Sequence, residues 1–250
     1  MKKAAVIHDL SGFGKCSLTA AIPVLSALGV QCCPVATAVL TGQTGYPCYH
    51  CTDLTAMLPD YIDAWGKNNA HFDAIYSGFL TGAEQISQVL DFIHHFRKEH
   101  TLLLVDPVMG DDGNAYPFFT PGLLNGMKEL TLEADVITPN LTEACLLADV
   151  PCEHADWQKL MDRLSEKGAS VLITSAGDAV VGVDARTGMR FSIPFERVPG
   201  EHWGTGDRFC ALLLDGLAHK MPFDRAAKRA SDGVYEALKT ENPANPIDKV

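Results

Sequence analysis

Strand-length apolar runs alternate with segments of helical period along most of this chain, and this alternation constrains the fold more than any other feature. Residues 4–8 predict a first strand, residues 17–28 the helix that follows it, and residues 30–39 a second strand. Repeated strand–helix units indicate right-handed crossovers and a mainly parallel sheet. Short strands separated by turn signals at 179–198 predict an antiparallel meander at one edge.

Ordinary composition accompanies this pattern: 47% of the residues are hydrophobic and 20% are charged. The remaining predicted strands are 74–78, 101–106, 135–138, 170–175, 179–184, 189–193 and 195–198, and the remaining predicted helices are 53–68, 83–100, 122–131, 140–148, 156–168, 205–220 and 224–240. Since no Pro/Gly/Ser-rich linker divides them, we expect one domain over residues 1–250. The formal net charge of −11 disfavours non-specific binding to nucleic acid or to anionic membranes.

The N-terminus has basic residues but too short an apolar stretch for a signal peptide, and no stretch reaches the length of a membrane span. We therefore expect a cytoplasmic protein whose eight cysteines are reduced thiols. Cys48 and Cys51 flank His50, but no second pair completes a zinc-finger spacing, so these cysteines are interpreted as incidental.

The segment Gly204-Thr205-Gly206-Asp207 opens an apolar run of helical period. Glycines let the backbone approach a ligand closely, and the N–H groups of a helix start can face an anion. A carboxylate in the same turn can take a proton from an attacking hydroxyl, so the segment fits phosphoryl transfer with Asp207 as the base. The alternative is a glycine turn whose aspartate complements the helix dipole.

The loops after the other strands are the next places to expect chemistry, because ligands of parallel sheets bind beyond the carboxyl ends of the strands. The first loop is not a P-loop, since Asp9 and Cys16 stand where that motif needs Gly and Ser or Thr. A neutral pocket is predicted from hydroxyl and aromatic side chains at the first three strand ends, namely Ser11, Thr44, Tyr46 and Tyr76. Such groups suit a neutral heteroaromatic or polyol ligand.

Carboxylates and hydroxyls follow three more of the predicted strands. Asp106 ends a buried strand, where an acid can reach a metal ion or a phosphate. Asn140 and Glu143 lie three residues apart at a helix start, and their spacing fits both a capping box and a magnesium-associated acid. Thr174 and Ser175 place hydroxyls where a nucleotide could lie. The glycine- and acid-rich segment 110–120 is interpreted as a lid.

Taken together, these segments resemble the vitamin B6 kinases, the pyridoxal/pyridoxamine kinase family within the ribokinase-like fold. The matching pieces occur in the family's order and are Ser11-Gly12-Phe13-Gly14, Tyr76-Ser77-Gly78-Phe79-Leu80, Asp106-Pro107-Val108-Met109-Gly110-Asp111, Thr138-Pro139-Asn140-Leu141-Thr142-Glu143 and Gly204-Thr205-Gly206-Asp207. The resemblance implies an α/β fold, a ribokinase-like three-layer α/β/α sandwich with a mainly parallel central sheet and an antiparallel edge.

The resemblance also implies a reaction, the ATP-dependent phosphorylation of the 5′-hydroxymethyl group of pyridoxal, pyridoxamine or pyridoxine. It implies ATP as phosphoryl donor, Mg²⁺ as cofactor, a monovalent cation as a further candidate, and a homodimer without nucleic-acid or membrane partners. The implied site residues are Asp207, Gly204, Thr205 and Gly206 for catalysis; Ser11, Thr44, Tyr46, Tyr76 and Asp207 for the substrate; Asn140, Thr174, Ser175, Gly204 and Gly206 for ATP; and Asp106 and Glu143 for the metal.

Two positions depart from the family's pattern and keep alternatives open. Arg208 stands where relatives usually carry a small or apolar residue, and Gln43 where a histidine is common. The hydroxymethylpyrimidine kinases of thiamine synthesis share the fold and resemble this chain in the first loop, although they commonly carry Cys at the position of Asp207. A non-catalytic binder of pyridoxal phosphate or nucleotide is the alternative from another class. A sugar kinase is disfavoured, because the region before Thr44 lacks the usual sugar-gripping acid.

Overall fold

The computed structural model describes residues 1–116, 118–200 and 202–240. Its strands are β1 (Lys3–Ser11), β2 (Gln31–Leu40), β3 (Cys51–Asp53), β4 (Ala74–Ser77), β5 (Leu102–Val105), β6 (Gly110–Asp111), β7 (Asn114–Ala115), β8 (Val136–Ile137), β9 (Ser170–Ile173), β10 (Ala179–Val183) and β11 (Arg190–Pro194). Its helices are α1 (Ser17–Ala27), α2 (Leu58–Lys67), α3 (Ala83–Phe96), α4 (Pro121–Glu133), α5 (Leu141–Ala148), α6 (Trp157–Ser165), α7 (Thr205–Ala218) and α8 (Phe223–Thr240). None of the helices within these residues is both long and apolar enough to cross a membrane.

Within the described residues, nine strands form one sheet in the order β11-β10-β9-β8-β5-β4-β1-β2-β3. Neighbouring strands from β2 to β9 run parallel, whereas β10 and β11 are antiparallel additions at one edge and β3 at the other. The predicted parallel sheet with an antiparallel edge is confirmed. From β1 the chain passes to β2 on one side and later to β4 on the other, so β1 and β4 flank a switch point where ligands bind in such sheets.

Side chains alternate between the two faces of the central strands, and each face is covered by helices. Ala4, Val6 and Tyr76 belong to the core beneath α1, α7 and α8, whereas Ala5 and Ile7 belong to the core beneath α2 to α6. Because the strands are buried on both faces, they appear in the sequence as continuous apolar runs. The three-layer α/β/α sandwich is therefore confirmed.

Several element boundaries differ from the sequence predictions. The predicted strand at 195–198 is wrong, because the meander ends at Pro194, and a single backbone hydrogen bond from Phe195 to Asp178 follows. The predicted helix 53–68 begins late, since β3 and a 3-10 turn at Thr55–Met57 precede α2. Of the predicted single domain, residues 241–250 lie outside the described residues, and the one-domain assignment stays a prediction.

Candidate active site

The starts of α1 and α7 meet at the carboxyl end of the sheet, and Asp207 lies between them. Its carboxylate is buried, and its Oδ2 accepts a hydrogen bond of 2.6 Å from the backbone N–H of Ser17. An N–H group at a helix start is a favourable partner for a negative charge. The proposed base is therefore held by backbone from another helix before any ligand is present.

Only glycine fits at position 204, because the backbone there lies directly against the backbone of the first loop at Lys15. The φ of Gly204, 72°, is left-handed, and a Cβ there would lie 2.0 Å from the carbonyl oxygen of Lys15. Gly206 is less restricted, since the nearest atom to its added Cβ is Oδ2 of Asp106 at 3.9 Å. The first turn of α7 thus packs on the first loop at Gly204 and faces Asp106 at Gly206. Whether Gly204, Thr205 and Gly206 hold an anion stays a prediction.

His8, a residue that the sequence reasoning missed, lies beside Asp207. Its Nε2 is 2.8 Å from Oδ1 of Asp207, and its Nδ1 is 3.0 Å from Oδ1 of Asp9. Burial by itself lowers the pKa of His8, but the charges and hydrogen bonds of Asp207 and Asp9 outweigh it and raise that pKa to about 10. The proton that this favours lies on Nε2, which faces Asp207, because the backbone N–H groups of Asp9 and Phe79 donate to Nδ1 at 3.0 and 3.3 Å.

The frame around His8 comes from the ends of β1 and β4. Ser11 donates a hydrogen bond of 2.9 Å to Oδ2 of Asp9, which fixes that carboxylate against the imidazole. After β4, a Cβ at Gly78 would lie 2.1 Å from Cδ2 of His8, so only glycine leaves room for the ring. The signal that could have found His8 is its place next to Asp9, near the end of a strand at the switch point.

Two further acids are buried nearby: Asp106 follows β5, and Glu143 lies in the first turn of α5, after the neighbouring strand β8. Thr138 donates a hydrogen bond of 3.4 Å to Oδ1 of Asp106. Burial and the negative charge of Asp207 raise the pKa of Asp106 to about 7. Burial, and then the charge of Asp106, raise the pKa of Glu143 well above its usual range. A cation bound between these acids would lower their pKa values, because a nearby opposite charge favours the ionised form.

Glu143 does form the capping box that its spacing allowed. Its Oε2 accepts a hydrogen bond of 2.9 Å from the backbone N–H of Asn140. In return, the backbone N–H of Glu143 donates a hydrogen bond of 2.9 Å to Oδ1 of Asn140. Its Oε1 accepts from the N–H of Met109 at 3.1 Å. Both oxygens therefore have backbone partners, and a role with a metal would be additional to the cap.

A metal ion at Asp106 and Glu143 would need other ligands. Among the residues that the structure describes, no three His, Cys, Asp or Glu side chains are grouped so as to hold a metal ion. Magnesium typically keeps several waters and takes only one or two carboxylates, with substrate phosphates completing its shell. The two acids fit that kind of site, and the metal assignment stays a prediction.

The predicted lid is a short hairpin that rests on the start of α5. Strands β6 and β7 pair with each other. The side-chain amide of Asn140 donates a hydrogen bond of 2.8 Å to the carbonyl of Gly110, and the N–H of Gly113 donates one of 2.8 Å to Oγ1 of Thr142. Within segment 110–120, Pro117 lies outside the described residues. The hairpin is therefore tied to the same helix start that carries Glu143.

The predicted substrate residues do not all share one environment. Ser11 is buried and bonded to Asp9, whereas Thr44 is exposed. Tyr46 lies in a row of rings, with its centroid 4.8 Å from that of Phe13 and 5.7 Å from that of Trp203.

Tyr76 belongs to the core rather than to an open wall. Its side chain has no exposed surface, and its ring edge meets His8 with centroids 5.9 Å apart. A ligand could therefore reach Tyr76 only through a rearrangement, and the structure gives its predicted substrate contact no open surface.

The predicted nucleotide hydroxyls lie next to α5. The N–H of Thr174 donates a hydrogen bond of 3.0 Å to the carbonyl of Pro139, and Oγ of Ser175 accepts a hydrogen bond of 3.4 Å from the N–H of Leu141. The loop after β9 is thus joined to the helix start that Asn140 caps. This places Thr174, Ser175 and Asn140 in one neighbourhood, and their contact with ATP stays a prediction.

Known proteins match both the sequence and the structure. Residues 14–248 match the family model described as phosphomethylpyrimidine kinase. The chain is 31% identical to a pyridoxine/pyridoxal/pyridoxamine kinase of Bordetella avium over 242 residues, which are 90% of this chain and 81% of that relative. It is 30% identical to a hydroxymethylpyrimidine/phosphomethylpyrimidine kinase of Haemophilus influenzae over 183 residues, 69% of this chain and 67% of the relative.

A crystal structure of a Bacteroides thetaiotaomicron protein has the same fold. That protein is provisionally described as a phosphomethylpyrimidine kinase and was solved in an orthorhombic form with pyridoxal. It is 35% identical, with a TM-score of 0.91, and the match covers 99% of this chain and 91% of the other.

Proposed function

The chain belongs to the phosphomethylpyrimidine kinase family, and from that premise we propose that it phosphorylates the 5′-hydroxymethyl group of a vitamin B6 vitamer with ATP as the donor. The observation that carries the proposal is the buried carboxylate of Asp207 in the first turn of α7, at the end of the sheet where such folds bind ligands. The Bordetella kinase and the pyridoxal-bound Bacteroides structure support pyridoxal, pyridoxine or pyridoxamine as the acceptor.

In the proposed reaction, Asp207 accepts the proton of the acceptor hydroxyl as the hydroxyl oxygen attacks the γ-phosphorus of ATP. The bond between that phosphorus and the β–γ bridging oxygen breaks, and ADP leaves. The N–H groups of Gly204, Thr205 and Gly206 stabilise the charge on the γ-phosphoryl group, because a helix start carries unpaired donors and a partial positive charge. Mg²⁺, when bound, would neutralise charge on the phosphates, and Asp106 and Glu143 would hold it or its waters.

Ser11 has a defined polarity toward the acceptor ring. Its hydroxyl hydrogen is committed to Asp9, so its oxygen is left with lone pairs that accept a hydrogen bond. The phenolic hydroxyl of a B6 vitamer is a donor and would satisfy that oxygen once a rearrangement exposes Ser11, which is buried in the ligand-free protein. Thr44 is exposed beside the same loops and is free to meet a ring substituent of the vitamer.

Hydroxymethylpyrimidine is the second candidate acceptor. The family description and the Haemophilus relative favour it, and its hydroxymethyl group would meet Asp207 in the same way. The two acceptors differ in the ring: the pyrimidine has no phenolic hydroxyl for Ser11. A comparison of acceptors therefore separates the candidates without changing the proposed chemistry.

A coupled assay of ADP release over pyridoxal, pyridoxine, pyridoxamine, hydroxymethylpyrimidine and ribose tests the proposal. We expect the highest kcat/KM with a B6 vitamer and no ADP release with ribose. Turnover of hydroxymethylpyrimidine alone would replace the acceptor and keep the kinase. Ligand binding without ADP formation in the presence of any acceptor would contradict the proposal and favour a non-catalytic binder.

A homodimer is a separate proposal, which is supported by the family resemblance. Sedimentation velocity tests it.

A further inference from the structure

We propose that His8 is the positioning residue of Asp207, holding its carboxylate in the orientation that accepts the proton of the acceptor hydroxyl. This inference rests on the proposed function. It is motivated by the 2.8 Å contact between Nε2 of His8 and Oδ1 of Asp207, which joins the end of β1 to the first turn of α7.

Two partners hold the carboxylate of Asp207 at different oxygens. The N–H of Ser17 is bonded to Oδ2, and the imidazole of His8 is beside Oδ1. A carboxylate with one partner can still turn about its last bond, whereas partners on both oxygens fix its plane. Orientation matters here, because a misplacement of about 1 Å in a reacting group can cost on the order of a hundredfold in rate.

The ring of His8 is itself held in one orientation by its neighbours. Its other ring nitrogen faces Asp9, whose second oxygen accepts from Ser11, so rotation of the ring would break both contacts. The ring edge lies directly against the backbone at Gly78. The chain Ser11, Asp9, His8, Asp207 therefore runs as one set of contacts from the first loop to the proposed base.

Charge gives His8 a second reason to be present. The carboxylates of Asp9, Asp106, Glu143 and Asp207 are all buried, and a nucleotide would bring further negative charge. An unpaired buried charge is costly, so the contact of 2.8 Å between Nε2 of His8 and Oδ1 of Asp207 helps to stabilise this carboxylate before any metal arrives.

Three variants test the inference. His8→Phe keeps a flat ring without any N–H, His8→Gln keeps a side-chain N–H that can reach Asp207, and His94→Gln changes an exposed histidine of α3 as the matched control. We expect His8→Phe to lower kcat by about 10- to 100-fold, the scale of coupling between contacting charged residues. We expect KM for ATP to stay unchanged, His8→Gln to recover most of kcat, and His94→Gln to match the wild type.

Single-turnover rates in a double-mutant cycle show whether His8 acts through Asp207. In the Asp207→Asn background, the further change His8→Phe should cost much less than it does alone. Melting temperatures of every variant are measured without ligand, so that a loss of folded protein is not mistaken for a loss of rate. If His8→Phe does not fold, His8→Leu, which also lacks a ring or amide N–H, takes its place in the same cycle.

The outcomes separate this inference from the proposed function. Equal kcat in the wild type and the His8 variants, or fully additive effects with Asp207→Asn, would overturn the positioning role while the kinase stands. If hydroxymethylpyrimidine is the only acceptor, the B6 assignment fails and the His8 comparison is made with that acceptor. If no acceptor alcohol gives ADP, the proposed function fails and the inference fails with it.

Discussion

The backbone N–H of Ser17 donates a hydrogen bond of 2.6 Å to Oδ2 of Asp207, so two helix starts that are 190 residues apart in the chain meet at one carboxylate. Ser17 has a φ of 54°, which is uncommon for a residue with a side chain. Such backbone conformations often occur at functional sites. The contact anchors Oδ2 of Asp207 in the ligand-free protein.

Asp207→Asn should lower turnover by about 10²–10⁴-fold, the usual loss when a general base is removed. The amide keeps the shape and can still accept from Ser17, so nucleotide binding measured by calorimetry should be retained. Asp232→Asn, in an exposed ion pair of α8, is the control and should leave turnover unchanged. Near-normal turnover of Asp207→Asn would refute the assignment of the base.

Glu143→Gln should raise the magnesium concentration needed for half-maximal activity, because it removes a carboxyl group beside Asp106 whose ionised form a bound cation would favour. The glutamine oxygen can still accept from Asn140, which preserves the capping box. It leaves the buried N–H of Met109 without its acceptor, which destabilises the protein, but it also removes an acid whose ionisation is opposed by burial and by Asp106. We expect these two effects to offset each other and the net change in melting temperature to be small. An early melt with an unchanged magnesium titration would instead assign Glu143 to the cap alone.

Asp106→Asn should stabilise the ligand-free protein at pH 8. The folded-state pKa of Asp106 is about 7, above the value of 3.8 expected when unfolded, so the folded protein loses stability as pH rises from 4 to 7. The shift sets an upper bound of about 4 kcal/mol on the gain in the free energy of unfolding.

Melting curves across pH, without nucleotide or magnesium, measure this gain. It should shrink as pH falls from 7 toward 4, where the wild-type acid is protonated in both states. Asp60→Asn, which changes an exposed acid in the first turn of α2, is the control and should show no such trend. A gain that is the same at every pH would contradict the raised pKa.

The fold could be predicted from the sequence because it depends on local patterns. Strands buried on both faces give apolar runs, and the capping spacing of Asn140 and Glu143 identifies the start of α5. The edge strand β3 could not be predicted, since its three residues are mostly exposed and owe their conformation to pairing with β2.

The site was predictable only in part, for a related reason. Asp207 and its glycines form a motif within one turn, whereas His8 lies in an apolar strand and gains its meaning from contacts with a distant helix start. Gly78 likewise matched the family, but its close approach to His8 depends on how β1 and β4 are paired. Contacts between distant segments of this kind leave no periodicity or spacing in the sequence.

The lid prediction for segment 110–120 can be checked by limited proteolysis. Cleavage there should be slowed by a B6 vitamer together with a non-hydrolysable ATP analogue, because closure over a ligand protects the backbone. Thr142→Val removes the acceptor of the Gly113 N–H and should speed cleavage of the free protein. The exposed turn at 186–188 is the internal control, and equal protection of both segments, or of neither, would count against a lid.

Thr44→Val should raise KM for the B6 vitamer several-fold and leave KM for ATP nearly unchanged. The side chain is exposed in the loop after β2, and a hydrogen bond to a neutral ring group contributes about 0.5–1.5 kcal/mol. Since valine keeps the size and removes the hydroxyl, steady-state kinetics with each substrate varied in turn isolates that contact. Thr52→Val on β3 is the matched control, because Thr52 is also exposed but lies outside the predicted pocket. An unchanged KM for the vitamer would remove Thr44 from the substrate site and leave the chemistry at Asp207 untouched.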